Sequence, residues 1–456
     1  MRMDLFDLDM EPEEVLVHPR QQAALQRIEG LIGQLRACSN IEEGYVFQKD
    51  LLARLLDVEE DFNALSQAVK RLAVGKSPQA SAPEPQSNRD LNAAATWRLE
   101  RDICQRIARQ YRCVGDALAW RVFGFDRRYI LSLCRSQSSG VMAGKLGLPN
   151  ELEKMEAAYR DGQFALVHDL TNCLRIGDMT VFTDEGPVIR ELKKNEDKEE
   201  RSTPQTRRVK AARLALGGNA PLPGGDPCER LYDLQIPFKA HLKLLADGLG
   251  RAVQDGIFTA RVPGDRTLLV VDLGGVQGRG WTVDDFHDRL RRRISAVRRR
   301  AHFTVGNEWI IHATSLDSVS RDPLRVPFAA YPFHPALCTR LIGDIATFAV
   351  ETSGPALAES LLKAGLNATW TRAAAFADLK PGEVVMEISS VNRIPRGRLV
   401  EEHTRTLQVR RSELDRYLME LIEQPTWIEA SRTLLCGSRV TGQPWPHYLN
   451  EHEVWA

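Results

Sequence analysis

Two short apolar runs separated by a tight turn constrain this chain more than any other stretch. Ile176-Gly177-Asp178-Met179-Thr180-Val181-Phe182 leads into a turn at Thr183–Gly186, and Pro187-Val188-Ile189-Arg190-Glu191-Leu192-Lys193 follows. Apolar runs rich in β-branched residues and joined by a turn read as paired strands. With the turn centred near Glu185, Asp178 falls across from Leu192, within one residue of Glu191. Side chains alternate faces along a strand, so Glu191 and Lys193 project to the same side. One hairpin can therefore gather two carboxylates and an amine. That is the minimum equipment for holding a divalent cation and a water beside a phosphodiester.

An acid followed by Glu-x-Lys also arises by chance in a charged chain, so context has to separate the copies. Glu196-Asp197-Lys198 lies inside the charge run Lys194–Arg201, and Asp378-Leu379-Lys380 runs straight into Pro381-Gly382, a loop signal. Only Glu191-Leu192-Lys193 ends an apolar strand that follows a turn and a second strand with its own acid.

At 456 residues the chain is long enough for two or three domains. Lys plus Arg and Asp plus Glu number 61 each, so bulk charge gives no support to nucleic-acid binding, and any support must come from local patches. The eight cysteines are scattered and none forms Cys-x-x-Cys, which argues against a structural zinc site. Free thiols, an acidic start at Met1–Glu14 and no apolar run long enough for a bilayer point to the cytoplasm, with no membrane partner.

The organisation reads as mixed α/β. Residues 1–75 form a helical N-terminal region, with Leu25, Ile28, Ile32 and Leu35 at helical spacing and a second such run from Leu51 to Leu56. Residues 76–93, rich in Pro, Ser, Ala and Gln, have linker composition. Region 94–275 opens with a helix placing Trp97, Ile103, Ile107 and Tyr111 on one face. Short helices at Tyr129–Cys134 and Glu151–Arg160, a strand at Phe164–His168 and the hairpin follow. Thr203, Pro204 and Gly217-Gly218 bound a helix over 204–216. Ile236–Ile257 reads as a long helix, Thr267–Leu273 as a buried strand and Gly274–Gly280 as a Gly-rich turn. Residues 276–456 form a C-terminal α/β region with no assignable role.

The order helix, strand, hairpin with Asp then Glu-x-Lys, then a helix with Gln and Arg resembles the PD-(D/E)xK, or restriction-endonuclease-like, nuclease superfamily. The matching residues are Gly177-Asp178, Glu191-Leu192-Lys193, and Gln205 and Arg208 in the following helix. The resemblance implies a central αβββαβ core. It also implies that Asp178, Glu191 and the Leu192 carbonyl bind Mg²⁺ or Mn²⁺, that Lys193 serves the attacking water, and that Gln205 and Arg208 contact phosphate. An upstream helix often supplies a further acid in that superfamily, and Glu100, opening the helix at Trp97, is the candidate. The implied substrate is nucleic acid, DNA ahead of RNA. An effector-plus-sensor layout, as in bacterial anti-phage defence nucleases, suits the unassigned C-terminal half, with a partner subunit or homo-oligomer as an option.

The helix over Thr282–Arg300 carries Arg289, Arg291, Arg292, Arg293, Arg298, Arg299 and Arg300. Such a cluster can track a phosphate backbone, or it can be the solvated face of an amphipathic helix burying Phe286, Leu290, Ile294 and Val297. Gly274–Gly280 has the wrong spacing for a dinucleotide fingerprint, and Gln443-Pro444 stands where a P-loop needs lysine and a hydroxyl. Two non-catalytic alternatives stand beside the nuclease: a nucleic-acid-binding or assembly subunit that keeps the fold without cleaving, and an adaptor whose N-terminal helices pair with a partner.

Overall fold

A computed structural model describes residues 13–74, 88–134, 140–192, 204–216, 222–223, 239–300, 309–313, 325–371, 383–396 and 399–436. Together they form a mixed α/β structure built on three antiparallel sheets. After a short turn of helix, α1 (Glu13–Leu16), the chain enters α2 (Pro19–Ala37), α3 (Ile41–Val74) and α4 (Asn88–Val122). The heptad-like apolar spacing in α2 is realised as burial: Leu25, Ile28, Ile32 and Leu35 are all in the core. In α4, Ile103, Ile107 and Tyr111 are buried as expected, whereas Trp97 remains 36% exposed.

Next come α5 (Arg127–Leu133), α6 (Leu148–Arg160), β1 (Phe164–Val167), β2 (Met179–Thr183), β3 (Gly186–Arg190) and α7 (Pro204–Leu216). β1, β2 and β3 form one antiparallel sheet in that order, against which α3 and α6 pack. Its interior is aromatic, with Phe182 ring centroids 5.2 Å from Phe123 and 6.0 Å from Phe164. The second sheet has order β4 (Ile257–Val262), β5 (Arg266–Asp272), β7 (Ala346–Ser353), β6 (Trp309–Ala313). It is covered by α8 (Leu242–Asp255) and α10 (Val283–Arg300). The third joins β8 (Asn367–Trp370) to the long hairpin β9 (Val384–Arg396) and β10 (Leu399–Arg410).

Several sequence boundaries move. The expected linker over 76–93 already contains the start of α4 at Asn88. The expected helix over 236–257 is α8, and Ile257 opens β4 instead. The run at 274–280 is helical, α9 (Leu273–Gly278), capped by Asp272 Oδ1 accepting from Gly275 N–H at 2.8 Å. Its glycines serve close packing: a Cβ on Gly275 would sit 2.4 Å from the Ala252 carbonyl oxygen of α8. The boundary at 275 also fails as a domain border, since β5 lies before it and pairs with β7 beyond it.

The 1–75 region is likewise not separate. Arg36 donates to the Phe333 and Tyr331 carbonyls, and Arg106 on α4 pairs with Asp344 at 2.8 Å. Among the described residues, α6, β1, β2, β3 and α7 supply the first five elements of the expected αβββαβ order. The next strand, β4, joins the second sheet, and no fourth described strand pairs with β1–β3.

Candidate active site on the hairpin

The β2–β3 register pairs Met179 with Arg190, Thr180 with Ile189 and Thr183 with Gly186. The turn therefore centres between Asp184 and Glu185, half a residue earlier than the sequence suggested, and the same register carried one step outward sets Asp178 opposite Glu191. The chain enters through Gly177 at φ +79°, where a Cβ would lie 2.8 Å from Ile189 Cγ2. Only glycine takes this conformation without strain, and no side chain fits the gap. Asp178 N–H donates to the Arg190 carbonyl at 2.9 Å, and Leu192 N–H donates to Asp178 Oδ2 at 2.8 Å. One oxygen of the Asp178 carboxylate is thus fixed by the end of β3, while Oδ1 faces the Lys145 ammonium at 4.0 Å.

Behind the hairpin, His168 is 1% exposed. Its Nδ1 lies 3.0 Å from the Gly177 carbonyl and its Nε2 2.7 Å from Thr180 Oγ1. The carbonyl can only accept, so Nδ1 carries the proton and Nε2 accepts from the threonine hydroxyl. Burial pushes the His168 pKa down to about 4, so the ring is neutral near pH 7 and braces the strand without adding charge.

Lys145 is the centre of a carboxylate cluster. Its Nζ is 2.6 Å from Asp169 Oδ2 and 2.7 Å from Glu151 Oε1, in addition to the Asp178 contact. Burial raises the Asp178 pKa, against the opposing Leu192 N–H and Lys145 charge. Burial likewise raises that of Glu151, whose side chain is 3% exposed. Burial also works against the Lys145 charge, but hydrogen bonds to Asp169 and Glu151 overcome it and hold the amine protonated.

Glu191 and Leu192 lie on the wall of a cavity of about 720 Å³ between α6, β3 and α7. Four cations share that wall: Lys154 from α6, Arg190 from β3, and Lys210 and Arg213 from α7. Arg213 is held by donating to the Ile189 carbonyl at 2.6 Å. A cavity walled by this many cations favours an anionic occupant.

The expected site residues divide accordingly. Asp178, Glu191 and Leu192 come together at the open end of the hairpin. Lys193 lies outside the described residues. Gln205 and Arg208 bond to each other at 3.2 Å, and the cavity is faced by Thr206, Val209, Lys210 and Arg213 of the same helix. At about 100° per residue, the wall-facing set is the next face round the helix. Glu100 stands elsewhere, 3.1 Å from His18 and 3.6 Å from Arg20. It precedes Arg112, which reaches the Asp169 carbonyl, by twelve residues of α4, roughly 18 Å along the axis. The upstream acid at the cluster is instead Glu151 on α6, and Asp169 joins it from the turn after β1.

Of the arginines on α10, Arg298 forms a bidentate pair with Glu351 at 2.6 and 3.0 Å. Arg293 donates to the Ile257 carbonyl, and Arg291 pairs with Asp288 at 3.1 Å. Arg292 and Arg299 are exposed. The apolar face, Phe286, Leu290 and Ile294, packs with Ile257, Leu269 and Val271, so part of this arginine cluster secures α10 to its sheet.

The donors on the hairpin are all oxygens, the set a hard divalent cation prefers. Among the described residues no group of three His, Cys, Asp or Glu side chains forms a ready metal cage, and no helix is long and apolar enough to cross a membrane. Comparison with family models, curated proteins and solved structures returns no match.

Proposed function

We propose that the chain is a metal-dependent nuclease that hydrolyses phosphodiester bonds of nucleic acid, DNA ahead of RNA, on a PD-(D/E)xK-like core. The observation that carries the reading is the hairpin end, where Asp178 is tied to Leu192 while Glu191 and Leu192 border a cation-walled cavity. In this reading Asp178, Glu191 and the Leu192 carbonyl hold Mg²⁺ or Mn²⁺, which supplies Lewis-acid polarisation of a phosphoryl oxygen. Lys154, Lys210 and Arg213 hold the phosphate backbone and offset the charge that develops on it. Lys193, at the end of the Glu-x-Lys run, orients the attacking water.

Purified protein should cut plasmid, linear duplex or single-stranded substrates only with Mg²⁺ or Mn²⁺. Asp178→Ala, Glu191→Ala and Lys193→Ala should each abolish cutting while the fold survives. Wild-type cleavage by Glu191→Ala would sink the assignment.

The cation-walled cavity also favours a second reading, a binding or assembly subunit that retains the fold. That protein would shift nucleic acid in a gel without cutting it, with affinity falling steeply as salt rises.

A further inference from the structure

The cavity between α6, β3 and α7 is graded from inside to outside. Its deepest lining is apolar: Ile189 and Val209 are 2% and 7% exposed, and Leu192 is half-buried. Its cations stand farther out, with Arg190, Lys210 and Arg213 exposed and Lys154 half-buried. Arg213 donates one N–H to the Ile189 carbonyl at 2.6 Å, which ties the guanidinium to the cavity wall. A guanidinium carries five such donors, so the fork keeps N–H groups for a phosphate.

Gripping phosphates needs no apolar interior. A duplex turns its phosphates and groove edges outward and keeps the faces of its bases stacked on one another. It therefore has little apolar surface to set against Ile189, Leu192 and Val209. An unpaired nucleotide differs, because its base carries a bare face that gains by lying against apolar side chains. The size agrees. About 720 Å³ falls within the roughly 300–1,000 Å³ of pockets that enclose one small organic ligand, which is room for a nucleotide and its flanking phosphates and not for a duplex. The position agrees too. Glu191 and Leu192 belong both to this wall and to the open end of the hairpin, so a nucleotide seated here has its phosphate beside the proposed cleavage site.

We propose that this cavity seats one unpaired nucleotide of a DNA strand, its base against Ile189, Leu192 and Val209 and its phosphates on Lys154, Lys210 and Arg213. The protein therefore engages single-stranded DNA, or an unpaired end, in preference to duplex. The inference rests on the nuclease reading for the polymer and goes beyond it in naming the form of that polymer the site takes.

The test is fluorescence anisotropy of the full chain with a labelled single strand and with the duplex of the same sequence, in EDTA so that no metal-dependent cutting intervenes. The single strand should bind about tenfold more tightly or better, the gain expected from burying one base. Val209→Asp, which puts a charge among the apolar residues, should remove that preference and leave duplex affinity unchanged, whereas Lys210→Met should weaken both. A deoxynucleoside monophosphate should displace the single strand only far above the concentration at which an unlabelled strand does. Duplex binding as tight as single-strand binding overturns the proposal, as does no binding of either. An unchanged preference in a Val209→Asp protein that melts like wild type also overturns it; if that variant fails to fold, the wild-type comparison decides. Displacement by the monophosphate at strand-like concentrations makes the cavity a free-nucleotide site and overturns the strand assignment. Cleavage assays with Mg²⁺ separate the two claims. A single-strand preference without cutting keeps the nucleotide seat and removes the nuclease; cutting without the preference does the reverse.

Discussion

His168 should make the hairpin acid-labile by an amount that can be worked out. Its pKa falls from 6.5 to about 4 on folding because the ring is buried between the Gly177 carbonyl and Thr180. The folded state therefore holds a neutral ring, while the unfolded segment takes up a proton below pH 6.5. The stability contributed by keeping the ring neutral is complete above that value and is lost as pH falls toward 4. Integrating the difference in proton uptake gives a loss of about 2 kcal/mol by pH 5 and roughly 2.5 kcal/mol by pH 4.5. A chain this long unfolds in more than one step, so the readout should be local. Native-state amide exchange at Thr180 and Val181, in the middle of β2, reports hairpin opening directly. Carboxylates titrate over the same range, and His168→Gln, which has no titrating ring, supplies the reference. The opening free energy of wild type minus that of His168→Gln should drop by about 2 kcal/mol between pH 7.5 and pH 5. A difference that stays constant across that range refutes the buried neutral imidazole.

Gly177→Ala should cost the hairpin about 1–3 kcal/mol, because φ +79° and the 2.8 Å approach to Ile189 both oppose a Cβ; chemical denaturation and Mn²⁺ titration should both register it. Glu59→Gln leaves Arg112 buried without its charge partner and should destabilise by about 3–5 kcal/mol, read as a lowered melting temperature. Lys154→Met combined with Lys210→Met should weaken nucleic-acid binding and flatten the log–log salt dependence by up to two counterions' worth, about 1.8 in slope. An unchanged slope would place the backbone elsewhere. Arg292→Glu with Arg299→Glu, exposed on α10, should lower nucleic-acid affinity without lowering the melting temperature if that helix also tracks the backbone.

The hairpin was legible because its signals are local: period-two apolar runs, a two-residue turn and a glycine ahead of the acid. α7 was legible for the same reason, its proline start and glycine stop bracketing Pro204–Leu216. The site's other half was not. Lys145 and Glu151 lie outside any periodic pattern that points at Asp178, and they arrive only because the Glu59–Arg112 pair docks the 140–143 backbone against α3 and α4. Cations spaced along α6, β3 and α7 form one wall only after three elements pack. Which face of α7 looks inward was also undetermined by composition, since polar residues occupy every face. Gly274–Gly280 misled for a physical reason: glycine marks both turns and places where two backbones nearly touch, and Gly275 against Ala252 is the second kind.

The long reach of α4 has a consequence for how the chain matures. Arg106 donates to the Gly343 carbonyl at 3.0 Å across 237 residues, and Gln110 on the next turn reaches the Ile342 carbonyl. These groups are buried in the finished protein, so until residues 342–344 exist their partners are missing. At synthesis rates of about 5–20 residues per second, that interval is roughly 10–50 s on the ribosome. During it the part of α4 that packs against residues 328–330 and bonds to the 342–343 carbonyls waits uncovered. Contacts this distant in sequence also slow the final assembly relative to the local hairpin. The α4 helix is therefore a waiting scaffold: the chemistry-bearing hairpin can form early, but the body that holds it becomes permanent only when three-quarters of the chain has emerged.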